Sequence, residues 1–150
     1  MQGQTNGPTV VQLGADEWPA VRERAAALEI RASPERKERL ALRRTAGRAA
    51  LARYVGAPAD EVIVRSSEKE DCRLAVRASA ADSGSSDPYA LVLVALAPNL
   101  DGAGCTLAGW CRASEASTIG ELSPDGRTYW VPQHSLRHPD ELRRELGGAT

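Results

Sequence analysis

The chain has 150 residues and a formal net charge of −1. That length corresponds to one domain with enough interior to fold without covalent staples. The near-balanced charge excludes a polycation, so any surface for nucleic acid has to be a local patch. Three cysteines (Cys72, Cys105, Cys111) leave one unpaired under any disulfide scheme, and the longest apolar run is far too short to span a bilayer.

The opening MQGQTNGPTV has no basic region leading into an apolar one, so it does not read as a secretory signal. The expectation is a soluble, reduced, cytoplasmic protein with no membrane partner. Arg greatly outnumbers Lys, the only lysines being Lys37 and Lys69. Together with heavy use of Ala this points to coding bias and not to function. The chain has no Phe, so its core has to be built from Leu, Val, Ala and three Trp.

Residues 1–14 are polar, contain Gly and show no periodicity, which predicts a flexible N-terminal arm before a single domain over 15–150. A helix is expected from about Asp16, with Pro19 in its first turn. Trp18, Val21, Ala25 and Leu28 share one of its faces. Ser33-Pro34 starts a second helix running to about Tyr54, stopped by Gly56 and Pro58. Leu40, Gly47, Leu51 and Tyr54 line one stripe of it. Gly47, among Ala46, Ala49 and Ala50, allows a close approach to a neighbour at some cost in helix propensity. Lys37, Arg44 and Arg48 line another stripe.

From residue 61 the period becomes two. Glu61–Arg65 reads as a short strand and Cys72–Ala78 as another, with Cys72, Leu74 and Val76 inward and Arg73, Ala75 and Arg77 outward. The polar link Ser66–Asp71 suits a hairpin between them. Ala80–Pro88 reads as a flexible loop. Tyr89–Ala97 carries no charge and no breaker and lies between Pro88 and Pro98, which predicts a central strand covered on both faces. A further strand is expected over Cys105–Arg112 and a helical turn over Ser114–Thr118. A turn follows at Ser123-Pro-Asp-Gly126, then a last strand at Tyr129–Val131 and a closing helix over Asp140–Leu146 that His138 can cap. The fold class that follows is α/β, a central mixed sheet of about four to five strands with helices packed against it.

Five strings carry a resemblance by their order: AGRAALARYVG (46–56), VRSSEKEDCRLAVR (64–77), DPYALVLV (87–94), LAGWCRASEA (107–116) and YWVPQHSLRHPDEL (129–142). Together they resemble small phage and bacterial proteins of the PD-(D/E)XK restriction-endonuclease-like superfamily, over roughly residues 42–146. The resemblance implies that fold, and a site where an Asp and a Glu hold Mg²⁺ to activate water while a Lys two residues after the Glu orients the nucleophile. Here the chain departs. The helix acid is replaced by Arg48, the Asp strand is reduced to Asp60, the Glu position falls on Ile63 and the Lys position on Arg65. Arginine is always protonated and a poor proton shuttle. A cation placed there loses its ligands and gains a repelling charge. The implication is the fold without the reaction: a degenerate nuclease with no catalytic residues, no bound metal and no cofactor.

The remaining cationic residues, Lys37, Arg44, Arg48, Arg65, Arg73 and Arg77, form a candidate basic surface for DNA or another polyanion. The bland reading of the same residues is a set of solvated faces paired with the many Glu. A displaced active site would use Asp60, Glu68 and Glu70, although adjacent Glu68 and Lys69 would face opposite sides of a strand. Cys105 and Cys111, six apart and so on one strand face, could join His134 and His138 in a zinc site. Their spacing exceeds the usual one, and small core residues are the preferred reading. Trp110 and Trp130 could stack on bases, but core filling is preferred in a chain without Phe. The reading is thus a non-catalytic protein that contacts DNA or another polyanion through this basic surface. Its alternatives are an active Mg²⁺- or Mn²⁺-dependent nuclease and a protein–protein module or subunit of a larger assembly.

Overall fold

The computed structural model describes residues 9–147. They run β1 (Thr9–Leu13), α1 (Trp18–Ala26), α2 (Pro34–Val55), β2 (Ile63–Ser67), β3 (Leu74–Arg77), α3 (Ala78–Asp82), β4 (Pro88–Leu96), β5 (Ala103–Arg112), α4 (Ala116–Ile119), β6 (Glu121–Leu122), β7 (Thr128–Val131) and α5 (Pro139–Leu146). The architecture is mixed α/β. A four-stranded sheet has the order β1-β5-β4-β2, and a second, antiparallel sheet has the order β3-β7-β6. In the first sheet β2 runs parallel to β4, while the β4–β5 and β5–β1 pairs are antiparallel.

β4 is the central strand that its composition predicts. Ala90, Val92 and Val94 face a core shared with α1, α2 and α5, whereas Tyr89 and Leu91 face a second core closed by β3, β7 and α3. Apolar residues on both faces need a layer on each side, and the helices and the small sheet supply the two layers.

α2 begins and ends where its punctuation says. Pro34 sits in the first turn, and Gly56 closes the helix in the left-handed region (φ 79°), donating its N–H to the Ala52 carbonyl at 2.9 Å. At Gly47 the helix rests directly on the sheet. A methyl there would lie 3.2 Å from Ser66 Cβ and 3.6 Å from Val92 Cβ. In α1, Trp18, Val21 and Ala25 are buried as the stripe requires, but the helix ends at Ala26 and Leu28 is exposed. His138 caps α5, its Nδ1 accepting from the Asp140 N–H at 3.0 Å.

Four expectations are corrected. Part of the predicted arm, Thr9–Leu13, is a strand whose Val11 and Leu13 enter the core and whose partner is β5; residues 1–8 lie outside the described residues. The expected hairpin between the strands around residues 63 and 75 does not form: β2 pairs with β4 and β3 with β7. The reason is a mismatch of faces. β3 alternates buried and exposed and suits a sheet covered on one side, while β2 joins strands covered on both. The loop expected over 80–88 begins as α3, because Ala78 and Ala81 pack inward. Finally, Cys105 and Cys111 do not share a face. Leu91 pairs with Gly109 and Val92 with Leu107, so Ala108 is an extra residue that inverts the alternation of β5. Cys105 lies in the helix-side core and Cys111 in the other.

Candidate functional site

β2 ends the first sheet, and a cleft of about 1390 Å³ opens around it. Ser66 packs under Gly47, so it faces α2, and by alternation Arg65 faces the opposite way. The Arg65 guanidinium confirms this: its Nε donates to the Ala75 carbonyl of β3 at 3.1 Å, and it lies 5.5 Å from the centre of the Tyr89 ring. Arg44 and Arg48 come to the cleft on the exposed side of α2, on the other side of the sheet. The two cations expected to replace a metal cage therefore open onto one space from opposite faces of one strand.

Arg73 lines the same cleft, 6.0 Å from the centre of the Trp130 ring. Four of the six predicted residues (Arg44, Arg48, Arg65, Arg73) are thus gathered. Arg77 lies in an adjoining groove of about 500 Å³ that shares Arg65 and Ala75 with the cleft. Lys37 is apart, in a shallow depression between α1 and the start of α2. Three further arginines line the cleft without having been singled out: Arg24, Arg43 and Arg53. Arg24 belongs to a helix whose placement is tertiary. Arg43 and Arg53 lie off the 37–44–48 stripe, although Arg43 is adjacent to Arg44 and could have been grouped with it.

The local charge balance is strongly positive. Seven arginines line the cleft, against the carboxylates of Glu29 and Asp60. Three of the cations have acidic partners: Arg43 reaches Glu68 at 3.7 Å, Arg53 reaches Glu17 at 2.9 Å and Arg73 reaches Glu121 at 3.9 Å. Arg24, Arg44, Arg48 and Arg65 have no carboxylate within 4.0 Å among the described residues. Arg43 Nε is buried without a hydrogen-bond partner among those residues. An unsatisfied buried donor costs about 1–3 kcal/mol.

The acids proposed for a displaced site do not converge. Glu68 is held by Arg39, whose Nε lies 3.0 Å from its carboxylate, and by Arg43. Among the described residues no group of three or more His, Cys, Asp or Glu side chains is placed to hold a metal ion. The zinc set is separated by the β5 bulge, and burial pushes the Cys105 thiol up to about 11 and the Cys111 thiol up to about 12. Trp110 fills the core as preferred, its indole N–H donating to the His138 carbonyl at 3.1 Å. Trp130 does not. It is 37% exposed and stands in the cleft, because it is an outward position of a sheet covered on one side only. No helix among the described residues is long and apolar enough to cross a membrane. No family model, curated protein or solved structure matches the chain.

Proposed function

We propose that the protein binds a polyanion, with the phosphate backbone of DNA as the expected form, along the arginine cleft at the edge of β2, and that it does so without cutting. One observation carries the reading: arginines from α1, α2, β2 and the segment before β3 converge on one cleft in a chain whose net charge is −1. Scattered solvated charges would not be expected to segregate this way. Backbone recognition needs cations at a surface that a chain of phosphates can follow, and the energy comes largely from released counterions.

The restriction-endonuclease-like fold with a dismantled metal site remains our proposal for how such a cleft arose. The placement of Arg48 and Arg65 on one cleft, with a helix seated on a mixed sheet beside it, supports that proposal. The assignment of β2 and β3 to different sheets speaks against a close correspondence.

Equilibrium binding to a short DNA duplex and to inorganic polyphosphate at two salt concentrations tests the function. Affinity should fall steeply with salt. Substituting Arg44→Ala and Arg48→Ala together should lower the slope of log K against log salt by about two, and Lys37→Ala should leave it unchanged. Plasmid incubated with Mn²⁺ should stay intact; cleavage abolished by Asp60→Ala would instead establish the displaced nuclease. Absence of binding even at low salt would overturn the reading and leave a protein partner as its replacement.

A further inference from the structure

We infer that the polyanion taken by this cleft is a single-stranded nucleic acid, one of whose bases stacks on Trp130. The inference rests on the polyanion reading and narrows it. In the small sheet Ala75 pairs with Trp130 and Arg77 with Thr128. Leu74, Val76 and Val131 are buried, so alternation places Ala75, Arg77, Thr128 and Trp130 together on the outer face. On β3 the cross-strand neighbour of the indole is only the Ala75 methyl, which leaves the ring open on that side; on β6 it is Glu121, whose carboxylate lies 3.9 Å from the Arg73 guanidinium. The Arg73 guanidinium is 6.0 Å from the ring centre, near enough to brace it by cation–π attraction.

The cations flanking this aromatic follow a line. Arg73 and Arg77 lie four residues apart on one face, about 13–14 Å along the chain, with only the small Ala75 between them. The cleft and the adjoining groove meet at Arg65 and Ala75. Cations therefore line both spaces: Arg48, Arg65 and Arg73 the cleft in which Trp130 stands, and Arg65, Arg77 and Arg127 the adjoining groove. A basic groove that follows a backbone, with an aromatic side chain set into it, is what binding of unpaired bases requires. A duplex keeps its bases stacked inside and would use the arginines while leaving Trp130 untouched.

The protein carries its own reporter. Trp18 and Trp110 are buried, and both donate their indole N–H to backbone carbonyls, of Leu100 and His138. Trp130 is the exposed one of the three. The full chain titrated at low salt with a deoxythymidine oligonucleotide should show quenched tryptophan emission, while a duplex of equal length and inorganic polyphosphate should leave the emission nearly unchanged. With a labelled oligonucleotide read by anisotropy, Trp130→Ala should weaken single-strand binding by roughly 5- to 150-fold, and Trp130→Phe should recover most of the loss. Polyphosphate affinity should be the same for all three proteins, which shows that the variants are folded and the cations in place. Equal binding of single strand, duplex and polyphosphate, unaffected by Trp130→Ala, would overturn the stacking inference and leave the polyanion reading standing. Failure of all three to bind would remove that reading and this inference with it.

Discussion

Replacing Gly47 by Val tests the seat of α2 on the sheet, on which the whole cleft depends. A Cβ at this position already lies 3.2 Å from Ser66 Cβ and 3.6 Å from both Val92 Cβ and Val94 Cγ2. Two further methyls have nowhere to go, because carbon–carbon contacts are optimal at about 3.5–4.0 Å. Ser66, Val92 and Val94 belong to hydrogen-bonded strands, so they cannot retreat one at a time. Overpacking of this kind costs about 1–3 kcal/mol, and the better helix propensity of Val over Gly returns only a few tenths. A net loss of about 2 kcal/mol corresponds to a fall in Tm of roughly 4–8 °C for a chain of this size. Thermal and urea unfolding measure it, with an unchanged m-value expected. Gly47→Ala is more finely balanced, since a propensity gain of about 1 kcal/mol opposes the Ser66 contact. The informative measurement there is a double-mutant cycle with Ser66→Gly. Removing the opposing Cβ should make the Ala at position 47 more favourable by about 0.5 kcal/mol or more. A Gly47→Val protein as stable as the parent, or a coupling of zero, would show that α2 does not rest on β2 at this point.

Other consequences can be measured independently. Tyr54 hydrogen-bonds the Asp140 carboxylate and so ties α2 to α5. Burial and this bond push the Tyr54 phenol up to about 12, and the bond holds the Asp140 carboxyl below its usual range. The raised phenol contributes stability that is present below pH ~10 and lost as pH rises through about 12, while the depressed carboxyl contributes stability present above pH ~4 and lost on further acidification. Tyr54→Phe should therefore cost about 1 kcal/mol on a plateau between those limits, with the difference from the parent shrinking on both sides; a pH-independent difference would refute the link. A disulfide reagent at neutral pH should label only Cys72 in the native protein, since Cys105 and Cys111 are buried, and all three thiols in denaturant. Because Cys72 lines the cleft, bound polyanion should slow its labelling. Gly109→Ala should destabilise by about 2 kcal/mol or more in urea unfolding, because φ there is 150° and a Cβ would lie 2.6 Å from Leu136 Cβ and 2.9 Å from the Arg137 carbonyl oxygen.

Much of the local structure was legible in the residues. The uncharged run between Pro88 and Pro98 marked a strand buried on both faces, Ser33-Pro34 and Gly56 bounded α2 almost to the residue, and Gly47 marked the close approach. The Ser123–Gly126 turn and the His138 cap were likewise written in short-range chemistry. In each case the signal and the structure it specifies lie within a few residues of one another. The candidate site was legible only in part: strand alternation correctly turned Arg73 and Arg77 outward, and the helical period separated Arg44 and Arg48 from the core face, but nothing local brought them onto one cleft.

The sequence by itself determined the long helix α2, the doubly buried β4 and most of the other elements, because hydrophobic period, caps and turn residues act through neighbours along the chain; it did not determine the strand at Thr9–Leu13, the helix at Ala78–Asp82 or the faces of β5 beyond its bulge. Tertiary structure alone decided which strands meet. β2 reaches past β3 to pair in parallel with β4, and Thr9–Leu13 finds its partner some ninety residues away in β5. One extra residue at Ala108 then exchanges the faces of everything after it on that strand. The sheet split, the open edge of β2 and the exposure of Trp130 follow from those long-range pairings. Their free energies depend on how many faces the finished layers cover, a quantity that no short stretch of the chain contains.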